Sequence, residues 1–269
     1  MNLQKAKRLV SACLEDPAVK RLYEMGDELS RHQTKHDLDH AFQVMALANQ
    51  VAAEIHTRSP KMLDEWTREV VIPLAAFLHD IGRAISVEEH DKAGAKWSLD
   101  YLQKLSLPDD NETLPLEVVK RICRIIACHR SRVVHKLDFN DHAWAIVVLA
   151  DKCVGDEERV RPFRAFILSL LTPLRLTWIP LRRDGGVHDR ANFAIKRATV
   201  KLEDTEIVLN IDLDRRVCSP SLVYELYGDR FYACAKASRF LGFNFRLQFN
   251  DEKYEYSKPA GTWLKLKFS

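Results

Sequence analysis

The sequence predicts a mainly α protein. An all-helical domain over residues 1–171 is followed by a small C-terminal α+β unit, ββαβ, over 190–269. Three observations carry this reading. Up to about residue 170, apolar residues recur at three- and four-residue spacing. Beyond 190 the apolar period drops to two in short runs. Between them, residues 172–190 hold two prolines and the pair Gly185-Gly186, the composition of a connector.

In chain order, helical periodicity runs through 37–57, 62–82, 115–129 and 142–154. Turn-forming residues separate these stretches at Asp16-Pro17, at Ser59-Pro60, in "LPDDNETLP" (107–115) and in "HKLDFND" (135–141). Asp37, Thr113 and Asp141 stand where helix N-caps are expected, because a short polar side chain there can accept from an unpaired backbone N–H. The two-residue period appears at Ala198, Val200 and Leu202, then at Ile207, Leu209, Ile211 and Leu213, with Asp204-Thr205 between them as a hairpin turn. A helix from Ser221 to about Leu241 stops at Gly242. Phe243, Phe245, Leu247 and Phe249 then alternate in a last strand.

Composition excludes several classes. The chain has 41 Lys and Arg against 38 Asp and Glu, a net charge of +3, too even a balance to suggest a nucleic-acid or membrane partner by field alone. Glycine is scarce, and neither G-x-x-x-x-G-K-[ST] nor G-x-G-x-x-G occurs, so no phosphate-cradling glycine loop is read. The first residues are charged throughout, unlike a signal peptide. The apolar run at 166–181 is short for a membrane span and is interrupted by Pro173, Arg175 and Pro180. The six cysteines form no C-x-x-C pair and read as reduced core residues, so a cytoplasmic protein is expected.

The informative residues sit at helix ends. His40 heads "HAFQVMALA", His79-Asp80 closes "VVIPLAAFLHDIGR", His90 opens "HDKAGAKWSLDYL", His129 closes "VKRICRIIACHR", and Asp151 closes "AWAIVVLAD". A single histidine on an apolar helix is ordinarily a hydrogen-bonded core residue. Five apolar segments that each end in His or Asp call for a common cause, because buried imidazoles and carboxylates are costly unless paired or metal-bound. Together they are a ligand set for zinc, manganese, iron and, in some sites, magnesium. Gly82, two residues after Asp80, marks a helix end at which two adjacent residues can reach one ion.

This ordered series, with "FLHDIGR" at its centre and "LADK" followed by "ERVR" near its end, resembles the HD superfamily of metal-dependent phosphohydrolases over residues 36–161. The resemblance implies an all-helical domain with its site between helices. It implies that His40, His79, Asp80 and Asp151 hold a divalent ion (Mn, Fe, Zn, Ni or Mg). It further implies a second ion on Asp80, His90 and His129. There this chain departs from the pattern, because Arg130 follows His129 where a second histidine is expected. Arg130 could instead hold a substrate phosphate. "HDLDH" (36–40) resembles the H-[DN]-x-x-H signature of cyclic-nucleotide phosphodiesterases. His36 is then either a general acid one helical turn from His40 or a pre-cap residue facing water.

An ion in such a site acidifies water and polarises a phosphoryl oxygen. Asp80 or Asp151 would orient the water. Arg83 and Lys152, ahead of Arg130, Arg159 and Arg161, are the cations expected to meet charge on the transferring group. The expected substrate is a small phosphorylated molecule, a nucleotide mono- or diester first; no membrane or nucleic-acid partner is expected, and a homodimer is allowed. Three other readings compete. "HDLDH" could be a degenerate zinc-protease motif, but Asp37 is shorter than the usual Glu and no third ligand follows. A di-iron oxidase of the same family would use the same ligands. A non-catalytic sensing module would have no need of an intact ligand set. Finally, Leu174, Leu176, Trp178 and Leu181 make the connector too apolar for a solvated linker. The C-terminal unit is therefore expected to pack on the helical domain, with Arg182, Arg183 or Arg190 approaching the cleft.

Overall fold

The computed structural model describes residues 1–107, 111–181, 183, 185–257 and 259–266. Arg182 and part of the 107–115 loop lie outside the described residues. The chain divides into two compact units, one of residues 1–31 and 36–151, the other of residues 32–35 and 152–269.

The first unit is helical. It holds α1 (Leu3–Glu15), α2 (Pro17–Leu29), α3 (Leu38–Arg58), α4 (Ile72–Leu78), α5 (His90–Leu102), α6 (Leu116–Ala127), the short α7 (Ser131–Val134) and most of α8 (His142–Cys153). In α3 the buried positions Val44, Ala48, Val51, Ala52 and Ile55 recur at helical spacing and make one apolar face. That face packs on α4, while α5 packs on α6. Helix α4 is apolar on every side, and all seven of its residues are buried. The run Ala143–Ala150 of α8 is buried in the same way. Two central helices thus carry no solvent face, and their C-terminal ends bring polar residues into the core.

The expected helix over 62–82 is broken up. Residues Thr67–Val71 form a π-helical turn, α4 follows, and Ile81–Ala84 is a 3-10 turn. Pro73 explains the first irregularity. It has no N–H to give and its ring crowds the preceding carbonyls, so the ladder before it widens, with Ile72 N–H donating five residues back to Thr67. Asp37 caps α3 as expected, accepting from the His40 N–H at 3.1 Å. Asp141 accepts from the Ala143 N–H at 2.8 Å at the head of α8. Thr113 does not cap α6, which starts after Pro115, because proline at that point presets the backbone of the first turn.

The second unit is larger than ββαβ. It comprises the 3-10 turn Glu157–Arg159, α9 (Pro162–Leu171), α10 (Gly186–Ala194), β1 (Ile195–Glu203), β2 (Glu206–Leu213), α11 (Pro220–Leu226), α12 (Gly228–Phe240), β3 (Asn244–Phe249), β4 (Glu252–Ser257) and β5 (Thr262–Lys265). The strands form one sheet in sequence order. The β1–β2 hairpin turns at Asp204-Thr205. Strands β2 and β3 run parallel, which requires the helical crossover α11–α12 between them. Their register sets Ile207 beside Phe245, Leu209 beside Leu247 and Ile211 beside Phe249, and α12 packs against β3. The single helix expected over 221–241 is interrupted at Tyr227.

Candidate metal centre

His40, His79, Asp80, His90, His129 and Asp151 are all buried, each less than 8 % exposed. They arrive from five places: the first turn of α3, the end of α4, the start of α5, the residues after α6, and the end of α8. Among the described residues their ligand atoms form two trios, His40–His79–Asp151 and Asp80–His90–His129, and His36 makes a third with His40 and Asp80, each with all atoms within 4.8 Å of one another. In the first, Asp151 Oδ1 lies 3.8 Å from His40 Nε2 and 3.7 Å from His79 Nε2. In the second, Asp80 Oδ1 lies 3.2 Å from His90 Nε2 and 3.7 Å from His129 Nε2. Asp80 joins the trios, because its other oxygen, Oδ2, lies 3.6 Å from His79 Nε2.

Local backbone orients three of the imidazoles. Nδ1 of His79 meets the Ala76 carbonyl at 2.7 Å, that of His90 the Val87 carbonyl at 2.8 Å, and that of His129 the Ile126 carbonyl at 2.7 Å. A carbonyl only accepts, so Nδ1 carries the proton and Nε2 turns its lone pair into the cluster. Each carbonyl lies three residues back along the chain. His79 Nε2 is fully buried with no hydrogen-bond partner of its own. A buried lone pair left in that state costs free energy that a cation would offset.

The charges agree with this. Burial works to raise the Asp80 carboxyl, but the Arg83 guanidinium leads the contributions that outweigh it and hold the group well below the carboxylate range. Burial pushes the His79 imidazole down, and that of His90 down to about 4, so both are neutral. Two carboxylates and four imidazoles are a donor set that fits a divalent ion.

Other expected site residues have more specific places. His36 does not simply face water: its Nδ1 lies 2.8 Å from Asp80 Oδ2, and its backbone N–H donates to Asp27 Oδ1 at 3.0 Å. Arg83 is buried, with Nε 3.1 Å from Asp80 Oδ2, so it meets the Asp80 carboxylate. Arg130 donates to the Glu88 carbonyl and lies 3.5 Å from buried Asp91, on which Arg132 also converges. Lys152 follows Asp151 on α8 but lines a cavity of the second unit with Cys153, Asn192, Tyr227 and Arg230. Also in that unit, Arg159 donates to the Lys35 carbonyl at 3.1 and 3.0 Å, Arg161 to the Gln33 carbonyl at 3.4 Å, and Arg190 to the Val217 carbonyl at 2.7 Å.

Sequence reasoning did not find Asp27, nine residues before His36 on a mostly polar helix. It also missed the three carbonyls, although for His79 and His129 a histidine three residues past an apolar helical position near a helix end is a readable sign of them.

Residues 37–169 match the family described as HD domain. A search of curated proteins finds no match to the chain.

Proposed function

The chain belongs, through residues 37–169, to the HD superfamily of metal-dependent phosphohydrolases, and from that premise we propose that it hydrolyses a phosphate mono- or diester of a small molecule, a nucleotide first. The observation that supports this best is the set of carbonyl-oriented imidazoles aimed at two buried carboxylates, with the His79 lone pair left unmatched. His40, His79, Asp80 and Asp151 would hold one divalent ion, and Asp80, His90 and His129 a second. Ions held there supply Lewis acidity toward a phosphoryl oxygen and bring the ionisation of water toward neutral pH.

The chain's own groups do the rest. Asp80, kept anionic beside Arg83, accepts hydrogen bonds and can orient an attacking water. His36, joined to Asp80, holds a proton at the edge of the cluster, where it would protonate the leaving oxygen. Arg83 offsets the charge of Asp80 rather than that of the substrate, and Arg130 is turned to Asp91. On this reading the transferring group is neutralised chiefly at the His/Asp cluster.

The test is metal analysis of the purified protein by plasma mass spectrometry, then a panel of phosphate monoesters and diesters assayed with the metal found. Bound metal and turnover of one panel member, both lost in Asp80→Asn, are expected. A protein that takes up no divalent ion would refute the proposal. The same donors could serve a di-iron oxidase, which the joining of the trios at Asp80 favours over a sensing module; an absorption band from bound iron, together with oxygen consumption, would identify it.

A further inference from the structure

The stretch 162–181 takes no part in the chemistry above. We propose that it is a membrane-association surface that seats in the headgroup region of a bilayer rich in anionic phospholipid.

Helix α9 turns Phe163, Phe166 and Leu170 outward, 75 %, 59 % and 52 % exposed, while Leu168 is buried. Their spacing places them along one side of the helix. The chain stays bonded to the unit beyond α9. Thr172 Oγ1 donates to the Leu168 carbonyl at 2.8 Å, and the Leu176 N–H to that of Leu171 at 3.0 Å. Thr177, buried, donates to the Val217 carbonyl at 3.4 Å. On either side of Thr177, Leu174 and Trp178 stand 65 % and 64 % exposed. Five large apolar side chains facing water from one stretch of anchored backbone are not the scattered exposure of an ordinary surface.

Charge identifies the partner. Residues 160–183 include Arg161, Arg164, Arg175, Arg182 and Arg183, and no Asp or Glu. Arg164 is engaged by Asp189 at 3.3 Å, whereas Arg175 and Arg183 are exposed. A second copy packed across a two-fold axis would bring arginines against arginines. An anionic lipid surface attracts the arginines, and its interfacial zone takes Trp and Phe side chains. No described helix is long and apolar enough to cross a membrane, so α9 would lie in the plane of the interface. The even charge of the whole chain is an average that this segment does not share.

Flotation of the full chain with vesicles tests this. The protein should float with vesicles of phosphatidylcholine plus phosphatidylglycerol, not with phosphatidylcholine alone, and less well in high salt. Phe163→Ser with Phe166→Ser should weaken binding about tenfold or more. Leu174→Ser with Trp178→Ser should do the same from the turn. All four side chains are exposed, so an unchanged melting temperature is expected of both variants. Failure to float with anionic vesicles would overturn the proposal, as would flotation indifferent to both variants. A dimer in sedimentation equilibrium that the same substitutions dissolve would also overturn it, by making the face a contact between copies.

Discussion

Gly82→Ala tests how the second trio is held together. A Cβ built on Gly82 lies 2.1 Å from the His90 carbonyl oxygen, 2.3 Å from the Gly94 nitrogen and 2.8 Å from the Gly94 Cα. All three are backbone atoms of α5, so no side chain can swing aside. Opening the shortest contact from 2.1 Å to 3.0 Å, below which real Cβ contacts essentially never occur, requires α5 to retreat by 0.9 Å. His90 opens α5 and must move with it, away from Asp80 Oδ1, now 3.2 Å from its Nε2. Overpacking of this kind costs about 1–3 kcal/mol or more. In a unit of this size that lowers the melting temperature by roughly 3–10 °C. A misplacement near 1 Å at a reacting centre costs up to about a hundredfold in rate.

Two other glycines serve as controls. At Gly94 a Cβ would meet Gly82 N at 3.1 Å and nothing else closer than 3.4 Å. There the gain in helix propensity, about 1 kcal/mol, offsets a mild contact, and Gly94→Ala should be nearly neutral. At Gly26 the contacts are 3.0 Å to Ala84 N and Arg83 Cβ, so its alanine should fall between. The assay is thermal unfolding of the three variants, with metal content measured on each. Gly82→Ala should lose the ion on Asp80, His90 and His129 before the one on His40, His79 and Asp151, whose elements do not include α5. If Gly82→Ala melts like Gly94→Ala, or keeps full metal content and stability, the close approach of the 3-10 turn to α5 is refuted.

Three further outcomes are expected. Chelation of bound metal should lower the melting temperature, since an ion present at a hundred times its Kd stabilises the folded state by about 2.7 kcal/mol; an unchanged temperature after verified metal removal would count against the centre. Arg121→Met should cost about 1–2 kcal/mol at pH 7, because Arg121 reaches Asp141 at 2.7 and 2.8 Å and Thr67 at 2.7 Å from a half-exposed position where solvent screens part of the interaction. Burial works to raise the Asp141 carboxyl, but its bonds to Arg121 hold it below the ordinary value of 3.8. Its stabilisation is therefore complete above that value and is lost as pH falls through the lower folded-state pKa, so urea titrations of native and variant chains should converge in acid. His36→Gln should reduce kcat more than KM and remove one limb of the pH–rate profile, whereas loss of a merely structural residue would leave the profile's shape intact.

The helical half of the fold and its centre were legible because one physical fact underlies both. Helices apolar on every face, such as α4 and α8, must be buried, so a His or Asp at their ends is buried too and needs a partner. What periodicity could not supply was geometry set by distant backbone. The contact of Gly82 with α5 and the Asp27 bond to His36 both depend on packing between segments. Strands β4 and β5 were missed for another reason. In β4 the alternation of Tyr254 and Tyr256 with Glu252, Lys253 and Glu255 is present, but the polar residues outnumber it. β5 is only four residues long.

The arginine-only stretch shows where composition misleads. The whole-chain balance of 41 basic to 38 acidic residues argues against a charged partner only if charge is evenly spread. Screening confines each charge to about 8–10 Å in physiological salt, so a partner meets the local patch and not the sum. A patch on which exposed Arg175 and Arg183 accompany outward Phe163, Phe166 and Trp178 is therefore a different surface from the one that a net charge of +3 describes.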